Sequence, residues 1–321
     1  MFRLATKQVV RLAVVYRYLP HVRAISTTTS QTDPKPKARS SEVTTKKDTD
    51  LKKRARSKLE TASGEGSKEV DIHLKKPKTK VRWTQKMSYS KVSIKDAEER
   101  LSLRLDIFEN YGIPISEMLG QADPGIKGLA GHELHQVKDK VFNNILSFLL
   151  AVGYPAQDAE PQKANIIDLA FLIILPILTA VQRTNERRLS LRRGKTIMSN
   201  DSKTWGYQEL VVIDIVGIGN RKFVFVVEPK KVDLALAKKR CYLALKDMRD
   251  NNARGVVYGF ITTGEQWQMV SYNGQDFTQT KSFLVLSHDM ENKKETWMKE
   301  SAIIVDCIHT ALCSGGFGVH D

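Results

Sequence analysis

The chain has 321 residues, enough for one large domain or two small ones. Its 51 Lys and Arg against 36 Asp and Glu give a formal charge of +15, but residues 1–100 hold almost all of that excess and the remainder is close to neutral. That distribution argues against a broad basic face on the folded part, and three cysteines (Cys241, Cys307, Cys313) supply neither a disulfide framework nor a closely spaced thiolate metal centre.

The first segment, MFRLATKQVVRLAVVYRYLPHVRAISTTTSQT (1–32), carries basic residues among apolar ones and no carboxylate before Asp33. Arg11 and Arg17 break the apolar run that a secretory signal needs. The composition is that of a mitochondrial transit peptide, with VRAIS at 22–26 as a cleavage region. Residues 33–90 are rich in Lys, Ser, Thr, Asp and Glu and poor in apolar residues, which predicts a disordered basic linker. KKRAR (52–56) and KKPKTKVR (75–82) within it would suit a nuclear import signal, so the nucleus is the alternative address.

Globular patterning begins near residue 91. Residues 91–160 read as a helical N-terminal part, with helices over 93–112 and 133–154. A third helix over 165–188 holds an apolar run interrupted by Asp168 and Pro176, which predicts a core helix and not a membrane span. The period then changes. Strands at 208–218 and 222–230 form a hairpin, an amphipathic helix covers 233–251, strands follow at 255–264, 266–274 and 281–288, and a helix closes the chain at 295–313. Residues 161–321 are thus expected to form a mixed α/β domain around one central sheet.

Three short motifs have ordinary explanations. HELH (132–135) places its histidines three apart, not four as in the zinc protease motif; GEGSKE (64–69) lacks phosphate-loop spacing; RRLS (187–190) is a common basic-Ser string.

The hairpin VVIDIVGIGNRKFVFVVEPKK (211–231) is different, because Asp214, Glu228 and Lys230 interrupt strands that should be buried on both faces. Glu228 and Lys230 are two apart, so they share a face. Which acid joins them depends on register. A turn centred near residue 220 sets Asp214 diagonally beside Glu228; a turn between 218 and 219 opposes Glu228 to Glu209 and sends Asp214 to the other face. Asp214 is the favoured partner, because an exposed strand end excuses Glu209 and nothing in the sequence excuses Asp214.

An acid on one strand and Glu-x-Lys on the next, set between a core helix and a crossing helix, resembles the core of the PD-(D/E)XK nuclease superfamily. The passage ALKDMRDNNARGVVYGFITTGEQWQMVSYNG (244–274) is similar to a group of largely uncharacterised fungal proteins with this domain. The resemblance covers roughly residues 160–290. It implies a restriction-endonuclease-like core, Mg²⁺ held by Asp214 and Glu228, Lys230 beside the attacking water, and a nucleic-acid substrate contacted through phosphates. No membrane and no disulfide partner is expected. Two positions depart from the pattern: Gly194 stands where an acid is expected, leaving Glu186 as the nearby substitute, and Arg240 stands where related proteins often carry Gln. The alternative is an inactive nuclease-fold module that binds nucleic acid or a protein.

Overall fold

The computed structural model describes residues 86–122, 125–152, 163–185, 187–231 and 234–317. The expected leader, nearly all of the expected linker and Glu186 lie outside the described residues. Residues 86–90, assigned to the linker by composition, already belong to the fold: β1 (Met87–Ser88) pairs with a later strand, and Tyr89 is buried.

Ser93 opens α1 (Ile94–Leu101) by accepting the Asp96 backbone N–H on its side chain. The helix expected to continue to residue 112 stops at Ser102, which is left-handed at φ 52°, and resumes as the short α2 (Leu105–Phe108). Glu98 closes the break, its carbonyl accepting the Leu103 N–H and its side chain the Leu105 N–H, and long-range ion pairs anchor the last turn of α1. Arg100 donates to Asp201 and to the fully buried Asp247, whose other oxygen accepts from the Tyr89 and Thr204 hydroxyls at 2.8 Å each. After α3 (Ile115–Gln121) come two long helices, α4 (Gly131–Val152) and α5 (Lys163–Thr184). In α4 the HELH motif has a structural role, with Glu133 accepting the Ala130 N–H at the helix start. Helix α5, at 22 residues, is long and apolar enough to cross a membrane by length and composition alone. Here its apolar residues pack against α4, α8 and the sheet. It runs through Pro176, and the carbonyl of Leu172, left without its N–H partner by that proline, accepts from Asn144 of α4 at 3.2 Å.

The sheet follows. It comprises β2 (Leu189–Met198), β3 (Thr204–Gly217), β4 (Asn220–Pro229), β5 (Val257–Thr262), β6 (Gln266–Tyr272), β7 (Phe277–Gln279) and β8 (Phe283–Leu284), with α6 (Leu234–Asn252) between β4 and β5. Strand β2 departs from the expected pattern, because its central RRGKT is basic and, among the described residues, no strand pairs with its outer edge. Pairing is antiparallel for β2–β3, β3–β4, β5–β6 and β6–β7, and parallel for β4–β5 through the α6 crossover. Two closing helices, α7 (Lys294–Glu300) and α8 (Ile303–Ser314), replace the single helix expected.

Alternation along the strands sends Leu210, Val212, Phe225, Val227 and Phe260 to a core with α4, α5 and α8, and Val211, Ile213, Val226 and Ile261 to a core with α1 and α6. The protein is therefore a mixed α/β fold with helices on both faces of one sheet. Helix α6 lies close on β5 at Gly259, where a Cβ would meet Cys241 Sγ.

Candidate functional site

Strand β3 pairs with β4 as Leu210 with Val227, Val212 with Phe225, Asp214 with Lys222 and Gly217 with Asn220. The turn therefore centres between residues 218 and 219, and the favoured register is corrected. Extending the ladder one step would oppose Glu209 to Glu228, as in the alternative register. Asp214 lies five residues further along β3, roughly 17 Å away at strand rise. It is also on the other face, with Leu210 and Val212, because one residue of register inverts every side chain.

Asp214 has its own excuse there. Its Oδ2 accepts from Arg187 Nε at 2.8 Å, and Arg187, itself buried, donates to the carbonyls of Leu312 and Gly315 at the end of α8 and lies over the Phe317 ring. Carbonyls at a helix C-terminus lack helical partners, and a cation is favourable beside them. Asp214 is the counter-ion that lets Arg187 sit there. Burial nevertheless pushes the Arg187 guanidinium below its usual range, with Asp214 opposing.

Glu228 faces α6, on the side of Val226 and its β5 neighbour Ile261. It is 1% exposed. Its Oε1 lies 3.2 Å from Arg240 Nε without a directed hydrogen bond, and its Oε2 has no partner. Burial raises the carboxyl to about 7, against the opposing pull of Arg240, Lys230 and Lys163. Lys230 continues the strand, its N–H donating to Thr262 O, and two-residue spacing keeps its side chain on the Glu228 side. Arg240 also donates from Nη2 to Tyr207 O at 3.1 Å, bridging β4 to β3.

Glu209 occupies an irregular place. Neither the β2–β3 ladder nor the β3–β4 ladder includes it, and Gly194, its expected partner on β2, has φ +66°. The alternation of β3 slips by one at this point. Thr204 and Gly206 face Asp247 and Tyr89 on the α6 side, a side that Val211 and Ile213 of opposite parity also share. Glu209 pairs with Lys163 at the start of α5. Gln208 is fully buried, and both its amide atoms lack hydrogen bonds.

The structure thus brings Glu228, Lys230 and Arg240 together, sets Glu209 with Lys163 within electrostatic reach of Glu228, and removes Asp214. The Gly194 departure is local: a side chain there would meet the Tyr207 hydroxyl as well as strain the backbone. Among the described residues no three His, Cys, Asp or Glu side chains gather as a metal-binding group. The three cysteines are free and buried. Ser190 of RRLS is held within β2 opposite Ile213. Sequence reasoning missed Gln208, whose only signal was an amide among the apolar residues of a strand, and Lys163. No protein-family model matches the chain, and no curated protein sequence matches it.

Proposed function

We propose that this fold is of the PD-(D/E)XK nuclease type and that its Glu228 site hydrolyses phosphodiester bonds of nucleic acid with a Mg²⁺ ion. Support for the fold comes from the order of core helix α5, hairpin β3–β4, crossing helix α6 and parallel strand β5 around Glu228-x-Lys230. One observation carries the site. Glu228 leaves Oε2 without a hydrogen bond although it is 1% exposed, and the buried Arg240 Nε, 3.2 Å from Oε1, lacks one too. A buried polar atom without a partner costs about 1–3 kcal/mol, so such a concentration marks a place completed by something else.

Glu228 Oε2, an unpaired carboxylate oxygen, is the atom that would hold the ion, with the half-buried Lys230 two residues along the strand. Bound there, Mg²⁺ supplies Lewis acidity toward a phosphate oxygen. The chain's own groups do the rest. Lys230 offsets charge that builds on the phosphate and orients the attacking water, and Arg240, already bridging two strands, supplies a donor toward the same anion. Asp214 has no part in it.

A second reading rests on the ion pairs. Arg240 faces Glu228 and Lys163 holds Glu209, so each carboxylate already has a cation, as in a nuclease fold that binds nucleic acid without cutting it. Incubating the full chain with DNA and RNA in Mg²⁺ or EDTA separates the two. The hydrolytic reading expects metal-dependent cleavage that Lys230→Ala reduces by at least about a hundredfold. Inertness with every divalent metal, together with salt-sensitive binding, would establish the second. The proposed address is the mitochondrial matrix, with the nucleus as the alternative.

A further inference from the structure

Lys163, the first residue of α5, pairs with Glu209, and the helix then follows β2 away from it, Asp168 reaching Arg193 and Gln182 reaching Leu189. Helix α5 therefore leaves uncovered the part of the sheet that precedes Glu209. There Trp205 and Tyr207 of β3 sit across from Met198 and Thr196 of β2. The intervening pair, Gly206 and Ile197, fixes which way they point. A Cβ at Gly206 would meet the Tyr89 ring, and Ile197 belongs to the core under α6. Alternation sends Trp205, Tyr207, Thr196 and Met198 to the opposite face. Among the described residues, neither aromatic packs against either core. Tyr207 is 49% and Met198 44% exposed, Thr196 is exposed and Trp205 is half-buried. Two rings at alternate positions of a strand lie about 7 Å apart, so neighbouring bases of one extended strand can each stack on a ring.

Charge selects the occupant. Strand β1 lies beside these rings, the Met87 N–H donating to Lys203 O and the Tyr89 N–H to Trp205 O. The sequence that leads into it and through it, residues 72–95, holds eight Lys and Arg and no Asp or Glu. The carboxylates at the edges of the face, Glu209, Asp201 and Asp168, are each paired with a cation. An aromatic surface joined to an acid-free basic segment suits a polyanion with flat, exposed rings, and a duplex keeps its base faces inside the stack. We infer that Trp205 and Tyr207 form a stacking platform for single-stranded nucleic acid, whose phosphates engage the basic segment before β1. This rests on the nucleic-acid reading of the Glu228 site and narrows its substrate to unpaired strands. Arg240 joins the two places, since it faces Glu228 and donates to the Tyr207 carbonyl.

The test is binding of fluorescein-labelled oligo(dT), oligo(U) and a mixed-sequence duplex to the full chain in EDTA, followed by anisotropy, so that cleavage plays no part. At least one single strand should bind more tightly than the duplex at equal salt. Trp205→Ala and Tyr207→Ala should each weaken that binding by at least about fivefold, the lower end of what one stacked base contributes. Trp205→Phe and Tyr207→Phe keep a ring and should retain it, which separates stacking from a folding defect in the alanine variants. Unlabelled oligomer should also quench tryptophan emission, and less so in Trp205→Phe, because Trp267 and Trp297 are buried. If the alanine variants bind as well as the unmodified chain, or the duplex binds as tightly as the single strands, the platform is overturned and the nucleic-acid reading stands. If no nucleic acid binds, both fall.

Discussion

Two buried acids of one hairpin have opposite fates, and their partners explain why. Asp214 has a directed charge-assisted bond from Arg187, which is itself satisfied by two carbonyls, so the pair is structural. Glu228 has only an off-line guanidinium and an orphan oxygen. Its carboxyl is raised from an ordinary 4.5 to about 7, so the folded state prefers the protonated form. The contribution to stability is therefore fully present below pH 4.5 and is lost as pH rises through 7. At about 1.4 kcal/mol for each pH unit of displacement, this is on the order of 3 kcal/mol. In EDTA, urea midpoints of the unmodified chain and Glu228→Gln should diverge between pH 4.5 and 7.5, the variant lacking this loss. Parallel profiles would show that Glu228 titrates as an ordinary carboxylate.

At the scale of elements, the site depends on irregularities in the strands. The alternation of β3 slips around Glu209, which neither ladder includes, and a bulge between Val212 and Ile213 leaves Val224 unpaired opposite β3. Asn252, in the last turn of α6, stabilises that bulge by accepting the Phe223 N–H and donating to the Phe223 carbonyl, each at 2.7 Å. Asn252→Ala removes both bonds at a buried position and should cost roughly 2–3 kcal/mol, measured by denaturant midpoint at unchanged slope. A cost below about 0.5 kcal/mol would mean that the bulge holds without α6. Similarly, Asn144 takes the Leu172 carbonyl freed by Pro176, and Asn144→Ala should cost about 1 kcal/mol.

For the whole molecule, the near-neutral composition after residue 100 agrees with a fold whose sheet is covered on both faces, while the basic excess belongs to the segment before it. The acid-free leader motivates the localisation proposal. Residues 1–40 fused to a fluorescent protein should direct it to mitochondria. A purely nuclear signal from the full chain, with no mitochondrial signal from the fusion, would assign the address to KKRAR and KKPKTKVR instead.

Local rules were sufficient for the class of the fold. Apolar periods of 3.6 and 2 identified α4, α5, the hairpin, α6, β5 and β6, because each buries a continuous stripe or alternate residues. The Glu-x-Lys pair was readable too, since two-residue spacing alone puts Glu228 and Lys230 on one side. Strand β2 was hidden because an edge strand can be basic and still pair, and the break at Ser102 because Glu98, an ordinary helix residue by pattern, turns its side chain to the Leu105 N–H. Register was beyond reach for a similar reason. Gly217 and Gly219 allow more than one turn, and the choice falls to distant groups, Arg187 for Asp214, Asn252 for the bulge and Lys163 for Glu209. Sequence determined which residues carry charge into the sheet; tertiary contacts alone decided which of them face each other, because a shift of one residue costs little locally and inverts every side chain.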